Sequence, residues 1–201
     1  MSKTKSCLLC GVGGQGTVLA SRLIAFAAMQ RGENVRTSET IGMAQRGGCV
    51  VSHVRWGDTI RSPLIPKHSA EVLVGFEPAE AVRCLDYLSP EGTVIVNADP
   101  VMPVTVNFGG APYRAEEMLR FLKENAGSVR IVDGGELCRR CGSPKVLNIV
   151  LLTAACCSGM LGMTVEELRR TVEVRVNPAY RELNFRAIEE TERWYAAQPE
   201  A

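Results

Sequence analysis

The sequence predicts a doubly wound α/β fold with a mostly parallel sheet and a helical C-terminal third. Three observations carry that expectation. Short apolar β-like runs alternate with helical ones through the first two-thirds of the chain, a pattern that joins parallel strands through right-handed crossovers. The glycine loop Gly11-Val-Gly-Gly-Gln-Gly-Thr17 stands between the first strand and the first helix, which makes the expected sheet Rossmann-like. From Gly135 onward only helical patterning remains.

The elements follow in order. Residues 6–10 are an uninterrupted apolar strand, and residues 16–31, rich in Ala, Leu and Ile, a helix that Gly32-Glu33-Asn34 breaks. Residues 35–39 read as a second strand, and residues 40–48 as a loop of glycine and small side chains. Residues 49–56 alternate, with Val50, Ser52, Val54 and Trp56 opposite Cys49, Val51, His53 and Arg55. Apolar side chains on both of its faces predict a covered strand. A turn at residues 56–59 should then lead into a short return strand near Ile60.

Residues 71–76 are another apolar strand, and Pro78 can open a helix running to Leu88. Ser89-Pro-Glu-Gly92 reads as a turn before a buried strand at residues 93–97. Pro100 and Pro103 exclude helix, so residues 101–108 should be extended. A helix at residues 116–124 and a last strand at residues 129–132 complete the sheet. Residues 135–197 divide into up to four helices near Gly142-Ser-Pro144, Gly162-Met-Thr164 and Asn177-Pro178. Thr164-Val-Glu-Glu167 has the form of a capping box, in which each end residue bonds the other's backbone amide. With no repeat or linker, residues 1–201 are expected to be a single domain.

Composition narrows the function. A formal net charge of +1 and 5% aromatic residues give neither a basic surface nor a stacking platform for nucleic acid, and no pull toward an anionic membrane. Residues 146–165 carry no charge and approach the length of a bilayer span. Asn148, Thr153, Ser158, Gly159 and Gly162 dilute that run, which suits a helix buried on all sides of a soluble core. The opening Met1-Ser-Lys-Thr-Lys-Ser lacks the long apolar core of a signal peptide, so a cytoplasmic location is expected.

Eight cysteines raise the question of metals. Cys7 and Cys10 lie three apart on a strand and should point to opposite faces. Cys138 and Cys141 share one side of a helix, but two ligands do not close a zinc site. These thiols, and the adjacent Cys156 and Cys157, are expected to be buried and inert, with no metal bound. His53 and His68 are the only histidines, and His53 reads as a structural core residue. No catalytic residue is assigned.

The chemistry lies in two loops. Gly11, Gly13 and Gly16 satisfy the G-x-G-x-x-G spacing: a tight turn, a close backbone approach for phosphate, and closure of the helix on the sheet. Amides at the helix start favour an anion, and Thr17 adds a hydroxyl. No lysine stands there, which separates the loop from a Walker motif. The candidate binding set is therefore Gly11, Gly13, Gly14, Gln15, Gly16 and Thr17. Glu39, near the end of the second strand, keeps open a nicotinamide dinucleotide site, whose ribose needs an acid there. The second loop follows the same strand, with Arg46 as a donor fork for phosphate or carboxylate and Gly47 and Gly48 allowing close backbone passage.

Taken together, these motifs resemble the gamma-type subunits of 2-oxoacid:ferredoxin oxidoreductases. The glycine loop is followed by Met43-Ala-Gln-Arg-Gly-Gly48, Ser52-His-Val-Arg55, Ser62-Pro-Leu-Ile-Pro66, Phe76-Glu-Pro78 and Tyr87-Leu-Ser-Pro90. Asn148-Ile-Val-Leu-Leu and Asn184-Phe-Arg-Ala187 extend the match over residues 5–195. The Met-Ala-Gln-Arg-Gly-Gly form is similar to the indolepyruvate branch and replaces a more acidic, proline-containing version. Ile41, Cys138 and Cys141 depart from the usual pattern.

The resemblance implies an enzyme that decarboxylates an aryl pyruvate on thiamine diphosphate with magnesium. Electrons pass through iron–sulfur clusters to ferredoxin, and the acyl group goes to coenzyme A. Thiamine and clusters belong to a large partner subunit; this chain completes the assembly, holds no tight cofactor and is implicated in handling coenzyme A. Two other readings of the same residues are a self-sufficient NAD(P)- or flavin-dependent oxidoreductase, and a ligand-sensing module without redox chemistry.

Overall fold

The computed structural model describes residues 4–42, 48–102 and 113–198. Strands β1 (Lys5–Val12), β2 (Val35–Ile41), β3 (Cys49–Trp56), β4 (Ala70–Gly75), β5 (Leu88–Asn97) and β6 (Ser128–Val132) form one sheet in the order β2-β3-β1-β4-β5-β6. The helices are α1 (Thr17–Gln30), α2 (Pro78–Arg83), α3 (Ala115–Asn125), α4 (Gly134–Cys141), α5 (Leu147–Cys157), α6 (Val165–Arg175) and α7 (Pro178–Ala196).

Helices cover both faces, as a doubly wound fold requires. On one face Cys7, Leu9, Val54, Trp56, Val74 and Ile95 pack against α1 and α4 to α7. On the other, Leu8, Cys10, Leu73, Val94 and Val96 pack against α2 and α3. Successive side chains of β1 thus enter different cores, and Cys7 and Cys10 diverge as the strand period demands. The uncharged run resolves into α5, whose residues from Asn148 through Cys156 are all buried between the sheet and neighbouring helices. Among the described residues, no helix is long and apolar enough to cross a membrane.

The sheet is mixed rather than parallel throughout. β1, β4, β5 and β6 run parallel, but β3 is antiparallel to both β1 and β2 and lies between them. Connection length is the reason. A parallel crossover needs a dozen or more residues, and only residues 42–48 separate β2 from β3.

Three local expectations need correction. No return strand forms near Ile60; side chains hold residues 57–69 instead. Arg36 Nε donates to the Ile60 carbonyl at 3.1 Å, Arg55 reaches the Ser62 and Leu64 carbonyls, and the Ile65 amide donates to His53 Nδ1 at 3.2 Å. The helix from Pro78 ends at Arg83, with a 3-10 turn at Leu85–Tyr87, because Leu88 already pairs with Ala70 in the sheet. The expected turn at residues 89–92 is a bulge in β5: Ala70 faces Leu88, whereas Val72 faces Thr93. The proposed extended segment at residues 101–108 lies outside the described residues from Pro103 onward.

The capping box forms as read. The Glu167 amide donates to Thr164 Oγ1 at 3.1 Å, and the Thr164 amide donates to Glu167 Oε2 at 2.7 Å. Arg31 at the end of α1 then pairs with the same carboxylate at 3.3 Å and ties α6 to α1. Thr164→Ala should lower unfolding free energy by about 1 kcal/mol, whereas Leu152→Ala, in the fully buried α5, should cost about 2–5 kcal/mol. Urea unfolding with unchanged slope checks both; equal losses would refute this assignment of the core to α5.

Candidate functional site at the carboxyl edge of the sheet

The parallel strands all end on one edge. After β1 the chain turns to the α1 face, and after β4 it turns to the α2 face. Open α/β sheets form their ligand crevices at such a divergence, because the two loops leave in opposite directions. The glycine loop occupies this place.

Its glycines are required for different reasons. A Cβ on Gly11 would stand 2.7 Å from both Phe76 Cβ and Gln15 Oε1, so this position admits nothing larger. Gly14 and Gly16 have φ of +101° and +85°, in the left-handed region that favours glycine. Gly14 is exposed with open space above it. The Gly13 amide donates to the Gly48 carbonyl at 2.9 Å and so joins the two candidate loops directly. Its donor is spent there, and the Gln15 amide donates back to the Val12 carbonyl at 3.3 Å, so neither of these two amides is free.

Gln15 is part of the scaffold. Its Oε1 accepts from the Val12 amide at 2.8 Å, and its Nε2 donates to the Phe76 carbonyl at 2.9 Å. That carbonyl also accepts from Asn97 Nδ2 at 3.2 Å, while Asn97 Oδ1 takes the Gly134 amide at 3.2 Å. The ends of β1, β4 and β5 and the start of α4 are thereby held together. Glu77, almost fully buried, caps α2 by accepting from the Glu80 amide at 3.0 Å and also accepts from the Tyr113 hydroxyl. Burial, with the Glu77 carboxylate beside it, pushes the Tyr113 phenol well above its ordinary value.

The N-terminus of α1 is open. Its cap, Gly16, offers no side chain, and its first turn carries no acid. By contrast α2, α4, α6 and α7 are each closed by a side-chain acceptor, from Glu77, Asp133, Thr164 and Asn177. The free amides and the helix dipole place about half a positive charge behind Gly14. Two buried polar atoms flank this point without a hydrogen-bond partner: Thr17 Oγ1 and Asn148 Oδ1. Asn148 enters from α5 and packs against Gly16, whose Cβ position is 3.2 Å from Asn148 Cβ.

Glu39 stands apart from this cradle. It accepts from Ser21 Oγ at 3.2 Å and faces Ser52 across the β2–β3 ladder. Since β3 separates β2 from β1, two strand spacings, about 10 Å, intervene. The dinucleotide reading needs those strands adjacent and is not favoured. Gly48 belongs to the site through Gly13; Arg46 and Gly47 lie outside the described residues.

Most of the thiols are buried as expected, but Cys157, at the end of α5, is only half-buried, and Cys49 is exposed. Cys7 and Cys156 are pushed above the ordinary thiol range mainly by desolvation, and Cys138 up to about 12 for the same reason. His53 Nδ1 accepts from the Ile65 amide, and burial lowers its basicity, which keeps the ring neutral in a structural place. Among the described residues, no group of three or more His, Cys, Asp or Glu side chains could hold a metal ion.

Asn97, Glu77 and Asn148 were not among the candidates drawn from the sequence. Asn97 and Glu77 carried one available signal, a polar residue ending an apolar strand. Asn148 stood at the head of an uncharged run and of the Asn148-Ile-Val-Leu-Leu match, and neither gave it a place in the site.

Comparison with known proteins agrees with this architecture. The indolepyruvate oxidoreductase subunit IorB of Thermococcus kodakarensis is 34% identical over 189 residues, covering 93% of this chain and 94% of that protein. The gamma subunit of a keto/oxoacid ferredoxin oxidoreductase from Geobacter sulfurreducens superposes with a TM-score of 0.71 at 23% identity, over 97% of this chain and 98% of that one. The 2-oxoglutarate:ferredoxin oxidoreductase of Magnetococcus marinus, solved with 2-oxoglutarate, coenzyme A and succinyl-CoA, gives a TM-score of 0.71 at 17% identity; all of this chain matches 32% of that one. In the two structures the likeness is one of fold. The family model for pyruvate ferredoxin/flavodoxin oxidoreductases matches residues 6–194, and the chain belongs to that family.

Proposed function

We propose that this chain is the small subunit of a cytoplasmic, ferredoxin-dependent oxidoreductase of aryl 2-oxoacids such as indolepyruvate, and that its glycine loop receives a phosphate group of coenzyme A. The observation that carries the site is the open, acid-free N-terminus of α1 behind two left-handed glycines. Family membership supplies the reaction class. Thiamine diphosphate, magnesium and the iron–sulfur clusters belong to a large partner subunit, where they carry decarboxylation and electron transfer to ferredoxin. This chain positions the coenzyme: the α1 amides neutralise phosphate charge, Gly13 and Gly48 lock the two loops together, and Arg46 contributes a second cationic contact.

The cysteines do not suit a cluster of this chain's own, since Cys7 and Cys10 point into different cores and Cys138 and Cys141 lie on one short helix. The large subunit docks on the second loop and the helical C-terminal third, where Met160, Val174 and Tyr180 expose large apolar side chains.

Purified alone, the chain is expected to be colourless and inactive toward arylpyruvate with thiamine diphosphate and ferredoxin supplied. Stoichiometric iron with cluster absorbance would contradict the division of labour. On adding the partner, hydrogen exchange should slow in the second loop and in the helical C-terminal third, α4 to α7; unchanged exchange in both would exclude that interface. Gly14→Val puts a branched side chain at a positive φ over the open amides. It should weaken coenzyme A binding by at least about tenfold, or roughly 1.4 kcal/mol, while Glu39→Ala leaves it unchanged. Calorimetry that finds micromolar NAD(H) binding, abolished by Glu39→Ala, would restore the dinucleotide enzyme.

A further inference from the structure

We infer that Cys10 and Cys84 form a redox-sensitive dithiol behind the glycine loop, which a peroxide closes to a disulfide between β1 and the end of α2. Both side chains lie in the core between the sheet and α2, in one buried cluster with Leu8, Leu73 and Ala81. Cys10 directly precedes Gly11 and is fully buried, whereas Cys84 caps the C-terminus of α2 and is 5% exposed. The two thiols are hydrogen-bonded to each other.

Two more groups converge on the pair. Val51 is the register partner of Cys10, and Cys49, two residues before Val51, points to the same face of the sheet. Glu80 stands one helical turn before Cys84 and is 3% exposed, and its Oε2 has no hydrogen-bond partner. Its carboxylate acts on Cys10, Cys49 and Cys84 alike. The remaining thiols are set differently. In the opposite core Cys7 lies near Cys156, and Cys138 lies near Cys141, but burial raises all four. Cys10 is raised too, by its hydrogen bond to Cys84 and by burial, while that same bond holds Cys84 below the ordinary thiol range. Cys84 is the one cysteine so lowered among the described residues, and the thiolate is the reactive form. Exposure alone would favour Cys49 and Cys157, which burial pushes up to about 12 and about 11.

With hydrogen peroxide the chemistry needs no other reactant. The Cys84 thiolate attacks one peroxide oxygen and the O–O bond breaks. The thiol's proton leaves with the other oxygen as water, and Cys84 becomes a sulfenic acid. The Cys10 sulfur then attacks the Cys84 sulfur, the S–O bond breaks, and the departing hydroxide takes the Cys10 proton as a second water. Two thiols are oxidised to one disulfide, and one peroxide is reduced to two waters. Closing the contact to a bond of about 2 Å draws Cys10 toward α2. Gly11 beside it packs too closely on Phe76 to admit a Cβ, so the movement passes into the glycine loop.

The test treats the full, reduced chain with stoichiometric hydrogen peroxide, alkylates the remaining thiols in denaturant and maps the peptides by mass without reduction. The expected product links the Cys10 and Cys84 peptides with the loss of two hydrogens, and dithiothreitol reverses it. Cys10→Ser should stop the reaction at a Cys84 sulfenic acid that dimedone traps, ahead of any adduct on the more exposed Cys49 or Cys157. Cys84→Ser, or Cys84→Ala should the serine variant fail to fold, should abolish both products. Hydrogen exchange in residues 11–17 should differ between the oxidised and reduced chains. A disulfide through any other cysteine, first labelling at Cys49 or Cys157, or the absence of a Cys10–Cys84 link would overturn the dithiol. Identical exchange in the two forms would overturn its hold on the glycine loop.

Discussion

The Phe76 carbonyl, with Gln15 Nε2 at 2.9 Å and Asn97 Nδ2 at 3.2 Å, is the junction on which the geometry of the site depends. It lies just past β4, beside the end of β1, where the Phe76 amide donates to the Cys10 carbonyl at 2.8 Å. Gln15 also holds the Val12 amide, and Asn97 also holds the Gly134 amide, so two side chains fix three strand ends and the start of α4. Buried amide groups satisfied at both ends are rigid, because releasing either partner strands a polar group away from water. The tightness at Gly11 follows: the loop can approach Phe76 this closely only without a Cβ. The proposed anion cradle needs donors fixed before the ligand arrives, and this junction holds the loop that carries them.

The antiparallel β3 is the second constraint, and it sets the function apart from that of a dinucleotide-binding sheet. In the latter, the first two strands are neighbours and the acid after the second strand reaches the ribose beside the glycine loop. Here β3 fills that place, Glu39 is occupied with Ser21, and the loop returning to β3 brings Gly48 onto Gly13. The same glycine spacing therefore serves a different neighbour: a second loop of the chain in place of a ribose-reading carboxylate.

What was legible in the sequence divides along the distance over which each feature is decided. The glycine loop, the Thr164 capping box and the divergence of Cys7 from Cys10 depend on neighbours a few residues away, and the residues show them directly. The orientation of β3 was legible in principle, since a connection of residues 42–48 is too short for a crossover. Other features depend on remote partners. The bulge at residues 89–92 exists because Leu88 pairs with Ala70, and the missing strand near Ile60 because Arg36, His53 and Arg55 take up its neighbourhood. Asn148 meets Gly16 only through the packing of α5 on α1, and no local pattern announces a contact across that separation.

Stability and function meet at the start of α1. Four other helices are closed by side chains, each cap worth about 1 kcal/mol, yet this one ends in a bare glycine. Beside it lie two buried polar atoms without partners, each costing about 1–3 kcal/mol relative to a satisfied group. Among the described residues α3 and α5 also start without a side-chain cap, but only the start of α1 follows a glycine loop. A ligand held by the open amides of α1, as proposed, would bind the folded state alone and would stabilise the fold by RT ln(1 + [L]/Kd). Closing the helix with a side chain would make the free subunit more stable and would occupy the amides on which that gain depends.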